Sequence, residues 1–395
     1  MTPIAPTLPA GSAGECLWDA AVVGAGPAGA LAACLLARQG KRVLLVDRSS
    51  FPRDKACGCC LNPLGAKLLG KLNLGSVLAG AARLDRLLLR LPSRSLEFTL
   101  PASLGLPRTI FDARLVQTAI DAGVGFLPST SATLHGCDVS ADSRELTLRS
   151  GATAVSIRSR IVLAADGLRG STLDAYPQCA WQIARGSGFG ISCTIPRALA
   201  DFPAGAIAMH AAKHGYVGVI RLPDGQTHFA AALDPAACKS AGGPAGLLAE
   251  IFRACHLPAI ADLEQATVLG TPLLTRQRLC LGAHRVLALG DAAAYVEPFS
   301  GEGMTWALQS AHLLSLVLPE SLERWPADLP TQWTKSHRRL LAFHYRTCRL
   351  MRFLLHRPAL LARAAFLVDA LPTVGRILID RVSSANGRAL SGVSV

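Results

Sequence analysis

The residues able to do chemistry in this chain gather in short runs where glycines stand beside an acid. The first is Gly24-x-Gly26-Pro27-Ala28-Gly29, set between an apolar run at 20–23 and a helix-like run at 30–39. A second apolar run, 43–46, ends in Asp47 and Arg48. Glycines at this spacing allow a tight turn, let the backbone approach a pyrophosphate and let helix pack closely on strand, while the terminal acid can accept hydrogen bonds from ribose hydroxyls. Strand, turn, helix, strand and acid all fall in place, so a dinucleotide is expected here, although the motif does not separate NAD from FAD. The second run, 285–304 (RVLALGDAAAYVEPFSGEGM), carries an apolar strand into Gly290 and Asp291. It then passes through small residues to Pro298, Gly301, Glu302, Gly303 and Met304 before an apolar helix. Small residues at a strand-to-helix turn admit a flat ligand, and the helix N-terminus that follows offers unpaired N–H groups and a positive dipole end to anionic oxygens.

The elements that must hold these runs are legible in outline. Residues 144–149 and 155–165 read as strands leading into a third turn, Asp166-Gly167, and 106–124 reads as a helix with Arg108 and Asp112 at its start. The runs 87–91 and 96–100 flank a Pro-Ser-Arg turn as a hairpin. From about 181 to 274 short apolar alternations such as Tyr216-Val217-Gly218-Val219-Ile220 are separated by Gly, Pro and polar turns, the pattern of an antiparallel sheet. The expected fold is α/β: a discontinuous Rossmann-like nucleotide domain (16–84, 101–175 and 275–320) with an inserted antiparallel β-sheet substrate domain (85–100 and 176–274). A loose tail, 1–15, precedes it and a basic helical C-terminal region, 321–395, follows.

Composition narrows the function classes. The 395 residues are 50% hydrophobic and 17% charged, as expected of a well-buried globular protein. No apolar run reaches the roughly 18 residues needed to span a bilayer, and the N-terminal tail lacks the basic start and apolar core of a signal peptide. A cytoplasmic location, peripheral to a membrane at most, is the expectation. Of twelve cysteines most lie in apolar segments, as buried thiols in a reducing compartment do. Cys57, Cys59 and Cys60 cluster, but no second half-site with ligand spacing follows, so no metal is expected. The formal charge of +13 is concentrated late: 335–357 holds seven basic residues and no acid. There Leu340, Phe343, Thr347, Leu350 and Leu354 are assigned to one helical face, and Arg339, Arg346, Arg349 and His356 to the other. Such a helix is expected either to pack on the body with a solvated basic face or to meet a membrane surface or a partner protein. Nucleic acid is not expected, because no recognised binding motif accompanies the charge.

Four pieces in order resemble the FAD-dependent monooxygenases and reductases of the aromatic-hydroxylase type, in particular the branch of geranylgeranyl reductases. They are the glycine turn with Asp47 and Arg48, the segment FPRDKACGCCLNPLGAKLL, the run LAADGLRG, and LALGDAAAYVEPFSGEGM. The resemblance implies FAD, with NAD(P)H as electron donor. It places Lys55, Cys57 and Gly58 by the flavin, Asp291 on a ribityl hydroxyl, and the helix near Gly303 facing the flavin pyrimidine. Arg108 is implied as an FAD contact, against the simpler reading of a helix-start surface charge. Asp166 and Gly167 are implied at the pyrophosphate, against a purely structural turn. Cys57 is a candidate proton donor, activated if Lys55 lies near, or merely packs on the ring. The chain departs from the prenyl reductases at Tyr-x-Trp-x-Phe-Pro, where Tyr216 is kept and Gly218 stands in place of tryptophan, and both are candidate substrate residues. The arginine that trails the family's Asp-Gly pair is missing, since Ser171 is followed by Thr172 and Leu173. The implied activity is first a monooxygenase or oxidase acting on a bulky apolar or aromatic molecule. The alternatives are a reductase of isoprenoid double bonds and a flavoprotein that oxidatively matures a partner protein.

Overall fold

The computed structural model describes residues 2–136, 142–258, 260–297 and 302–355, together with 357, 360, 361 and 366. Pro298 and Gly301 lie outside the described residues, as does most of the chain beyond 355.

Two sheets of eight strands organise the molecule. The first is built on Leu17–Val23, which pairs in parallel with Val43–Val46 on one side and Thr153–Ala164 on the other. Gly125–Leu127 and Val286–Ala288 extend it in parallel on the two sides, and Gly282–Ala283 pairs antiparallel beyond the latter. Strands buried on both faces read as unbroken apolar runs rather than alternations, and Val43–Val46 is buried at every position. Helix Pro27–Arg38 covers one face. Its start needs no side-chain cap because Pro27 fills the position where a missing N–H costs nothing. The carboxyl ends of the parallel strands deliver Gly24, Asp47, Ala165 and Leu289 to one edge, where the chemistry-bearing turns meet.

The second sheet runs in the order Leu269–Leu273, Phe189–Ile195, Thr227–Leu233, Gly215–Arg221, Ala206–Ala212, Ala82–Leu91, Arg94–Gly105 and Cys60–Leu61. Its pairings are antiparallel except that of Ala206–Ala212 with Ala82–Leu91, so the hairpin at 82–105 joins the inserted strands in one wall. The short strand Cys60–Leu61 at the edge ties the cysteine loop to that wall. Three helices break the all-strand expectation for 181–274: Pro235–Ser240, Pro244–Ala254 and Asp262–Gln265. Leu247, Leu248, Ile251 and Phe252 recur at helical spacing and bury against the back of the sheet, beside Phe202 and Phe229. That period of 3.6 was present in the sequence and was masked by the flanking Gly and Pro.

The last long helix, Leu329–Leu355, packs on the nucleotide half through Trp333, whose indole donates to the Ala288 carbonyl at 2.7 Å, and through Tyr345, which donates to Ala294 at 3.3 Å. Its buried stripe is Trp333, His337, Leu340, Leu341, His344, Tyr345 and Cys348. The expected apolar face is not the buried one: Phe343 and Leu350, assigned to one face with Leu340, are exposed. Histidine, tyrosine and tryptophan, which pattern reading counts as polar or ambiguous, supply the packing instead. Among the described residues no helix is long and apolar enough to cross a membrane.

Candidate functional site

Gly24 lies at φ +104°, where an added Cβ would stand 2.4 Å from the Ala165 carbonyl oxygen. At Gly29 a Cβ would overlap the Gly24 carbonyl. These two glycines are demanded by the turn and by helix packing. Gly26 differs: a Cβ there would meet only guanidinium nitrogens of Arg53 and Arg108, at 3.6 and 3.8 Å. The turn thus faces open space bounded by two cations, with Pro27 and Ala28 starting the helix behind it. Asp47 is buried at the strand end. One of its carboxylate oxygens accepts from the Ala25 N–H at 2.8 Å and the other from Ser49 N–H at 2.9 Å, which fixes its orientation. Arg48 beside it is exposed.

Arg108 is not a surface charge. It donates two 2.7 Å bonds to the fully buried Asp112 one helical turn on, in the bidentate geometry that suits guanidinium and carboxylate. Arg53 stands 3.6 Å from Asp112 and 3.4 Å from Asp47, bridging the two. Lys55 reaches the same space. Burial and the neighbouring Arg53 and Arg108 hold its ammonium below the usual lysine range, against the pull of Asp291 and Asp47. Asp291 follows Gly290, whose φ of +59° and whose approach to Ala28, 2.7 Å from a would-be Cβ, leave no room for a side chain. Burial lifts the Asp291 carboxyl to about 6, opposed by Arg108 and Lys55. Three cations and three acids therefore surround one cleft between the two glycine turns. Asp166 is turned into its own loop, accepting from both the N–H and hydroxyl of Thr172 at 3.0 and 2.7 Å, with Gly167 at φ +74°. Thr172 thus shapes this turn.

An apolar pocket of about 120 Å³ continues from the cleft. One wall is the cysteine loop (Cys57, Gly58, Cys60), the second is the antiparallel sheet (Ile207, Met209, Tyr216, Gly218, Ile220 and Ala230 among others), and Tyr295, Gly303 and Met304 close it. Gly303 and Met304 belong to the first turn of helix Glu302–Val317, with Glu302 buried at its start. Thr305 of that turn donates to Asn62, which caps the next helix, Pro63–Lys71, so the two helix starts are locked together. Among the described residues no charged side chain lines the pocket. The sequence-predicted Tyr216 and Gly218 both line it. A Cβ on Gly218 would lie 3.3 Å from the Met209 methyl, so the cross-strand methionine occupies part of the room that a tryptophan would need.

The cysteine loop is held from the sheet. His228 donates through Nε2 to the Cys57 carbonyl at 2.7 Å, which leaves Nδ1 to accept from Thr194 at 2.9 Å, and the Cys57 N–H donates to Ser192 at 3.4 Å. Burial keeps His228 below the usual histidine range and so neutral. Cys57 is not activated by Lys55: a hydrogen bond with Cys59 and burial hold its thiol well above the usual range, and Arg108 offsets only part of this. It enters the pocket as a protonated thiol. Behind the pocket the Tyr216 hydroxyl bonds the Glu297 carboxylate. Glu297 in turn lies 3.7 Å from Arg352 of the long C-terminal helix. The sequence reading missed Arg53, His228, Met209, Tyr295 and Glu297. Arg53 and Tyr295 stood inside the quoted motifs, whereas His228 and Met209 carried no signal, because only strand pairing brings them to the loop and the pocket.

The glycine cradle, a cleft with fixed acids and cations, and a helix start facing an apolar pocket define a nucleotide-dependent redox protein, and they fit FAD. Gly24 to Gly29 with Asp47 would hold its adenosine half, Arg53 and Arg108 its pyrophosphate, Asp291 its ribityl chain, and Gly303 with Met304 its ring edge. Bound FAD supplies two-electron chemistry to whatever fills the pocket. The FAD binding domain family matches residues 18–339, and the chain belongs to it. It is 30% identical over 337 residues to a menaquinone reductase of Mycobacterium tuberculosis, covering 80% of both chains. It is 29% identical over 315 residues to a digeranylgeranylglycerophospholipid reductase of Methanoculleus marisnigri, covering 76% of each. In fold it is similar to p-nitrophenol 4-monooxygenase of Pseudomonas putida, with a TM-score of 0.77, 19% identity, and coverage of 94% of this chain and 99% of that one. The protein is an FAD-dependent oxidoreductase with likeness to the geranylgeranyl reductases.

Proposed function

We propose that the protein reduces a carbon–carbon double bond in the isoprenoid chain of a lipid, with NADH or NADPH as the source of hydride. The uncharged pocket beside the flavin helix start carries this reading: its lining of Ile207, Met209, Ile220, Met304 and alanines suits a hydrocarbon chain and offers a polar aromatic substrate few partners. The relatives support it. Menaquinone and digeranylgeranylglycerophospholipid, which appear in their names, share little except an unsaturated prenyl chain. The chain's own residues then have defined tasks. The sheet and the cysteine loop orient the alkene and exclude water, while Tyr216, Tyr295, Thr271 and the Cys57 and Cys60 thiols are the proton-bearing side chains at the pocket wall. Met209 opposite Gly218 fits a flexible chain, as methionine adapts to irregular apolar surfaces.

The test is anaerobic. The FAD-loaded protein is reduced with NADPH or NADH and mixed with detergent-dispersed menaquinone or a geranylgeranyl lipid, and the product is weighed by mass spectrometry. A gain of two hydrogens on the prenyl chain, located by fragmentation and kept after any quinol has been reoxidised in air, supports the proposal, whereas two hydrogens lost on reoxidation would mark reduction of the quinone ring in its place. A product that gains oxygen and forms only in air would establish hydroxylation in its place, and turnover only of a protein substrate would establish maturation.

A further inference from the structure

The exposed side of helix Leu329–Leu355 combines two features that a merely solvated helix keeps apart. Phe343, Leu350 and Phe353 are 43%, 57% and 47% exposed, at spacings that place them along one face, with Arg346 exposed between them and Arg339 exposed one turn before. A helix that only packs on its domain turns its large apolar residues inward. This one buries a separate stripe and still shows two phenylalanines and a leucine to solvent. Along the flank of the same face a cavity of about 210 Å³ is lined by Arg338, Arg346 and Arg349 together with Gln277 and His337, and among the described residues no acid lines it.

We propose that this face docks on a bilayer containing anionic phospholipid, with the phenylalanines and leucine in the acyl boundary and the arginine cavity taking a headgroup phosphate. Charge selects this occupant. With seven basic residues and no acid in 335–357, a second copy placed face to face would set arginine against arginine, whereas an anionic surface complements the exposed Arg338, Arg339, Arg346 and Arg349. The position of the helix gives docking a use. Arg352 is drawn from the basic set to the inside, donating to the carbonyls of Arg185 and Gly186 and pairing with Glu297 behind Tyr216. Leu354 and Leu361 pack into the same cluster as the pocket residues Cys60, Ile207, Met209 and Tyr216. The membrane-facing helix is thus continuous with the pocket wall, and a lipid chain leaving the bilayer meets the pocket nearby. That delivery role rests on the lipid-reductase reading; the docking does not.

Flotation of the full-length, FAD-loaded protein with vesicles tests the docking without turnover. Wild type is expected to float with vesicles of two parts phosphatidylcholine to one part phosphatidylglycerol, to stay behind with phosphatidylcholine alone, and to be released by salt. F343S/L350S/F353S and R346E/R349E should each weaken vesicle affinity by about tenfold or more with flavin content unchanged. Flotation of either variant equal to wild type overturns the proposal, as does equal binding to neutral vesicles. A concentration-dependent dimer that F343S abolishes, in a protein that ignores vesicles, would assign the face to a second copy instead.

Discussion

Replacing Asp291 by Asn should stabilise the protein without cofactor while weakening its hold on FAD. Burial lifts this carboxyl from 3.8 to about 6, and each unit of such displacement is worth about 1.4 kcal/mol. The displacement therefore costs the apoprotein roughly 3 kcal/mol at neutral pH, or about 2 kcal/mol once partial contact with the open cleft is allowed for. The sign follows from linkage. An acid whose folded pKa lies above its unfolded value stabilises the fold below the unfolded pKa, and that contribution is lost as pH rises through the folded one. Apo wild type should therefore lose stability between about pH 4 and pH 6, and Asp291→Asn should not. Thermal unfolding of both apoproteins is the assay: the variant should melt higher at pH 7.5, with the advantage vanishing near pH 4. FAD titration should show weaker binding to the same variant, since an amide replaces a carboxylate acceptor. Equal melting at pH 7.5, or an advantage that persists unchanged at pH 4, would refute the assignment of a buried, cofactor-facing carboxylate.

Other substitutions separate cradle, loop and pocket. Gly24→Ala forces a Cβ to 2.4 Å from a backbone oxygen at φ +104°; it should cost more than about 2 kcal/mol and abolish flavin retention, read by absorbance after gel filtration. Gly218→Trp places its Cβ only 3.3 Å from a flexible methionine, so flavin content should hold while the indole fills the pocket, raising KM for a prenyl lipid at least about tenfold. His228→Phe removes the donor to the Cys57 carbonyl and should cost about 1–3 kcal/mol, with partial rescue by Gln, measured by denaturant unfolding. Cys57→Ser should leave the pH–rate profile between pH 6 and 9 unchanged, because the thiol is protonated throughout that range; a lost alkaline limb would show an ionising thiol.

The nucleotide half was legible because its constraints are local. Gly24, Gly26 and Gly29 are required by a turn a few residues long, and Asp47 and Asp291 stand directly after the strands that deliver them. The strand and helix ranges around them differ from those read by only a few residues. Arg108 could not be resolved from sequence, since a lone arginine at a helix start is equally a surface group. Its burial depends on Asp112 being sealed beneath Arg53, a contact set by a distant loop. The pocket was the least legible, because its wall is a product of register. Met209 faces Gly218 only through the pairing of Ala206–Ala212 with Gly215–Arg221, and His228 reaches Cys57 only because Thr227–Leu233 lies between Phe189–Ile195 and Gly215–Arg221. The C-terminal helix misled for a different reason: a face built from Leu340, Phe343, Thr347, Leu350 and Leu354 ignored that Trp333, His337, His344 and Tyr345 can be buried when each finds an aromatic or carbonyl partner.

Charge is partitioned across the site in a way that suits the proposed reduction of a hydrocarbon chain. Arg53, Lys55, Arg108, Asp47, Asp112 and Asp291 all crowd the nucleotide cleft, while the adjoining pocket has an apolar wall and a protonated thiol. Ions that neutralise a pyrophosphate are useful there and would be costly a few ångströms further on, where burying an unpaired charge against an alkene gains nothing. Glu297, a buried acid behind the pocket, is paired with Arg352 and Tyr216. Arg352→Leu should therefore do more than loosen a helix end. It leaves a buried carboxylate without its cation, a change worth about 3–5 kcal/mol, and burial, no longer opposed by Arg352, should push the Glu297 carboxyl further up. Double replacement by Arg352→Leu with Glu297→Gln should recover much of the lost stability in thermal unfolding. Stability that stays as low in the double variant as in the single one would show that Arg352 acts through Gly186 and the helix alone, and that the pocket wall is independent of it.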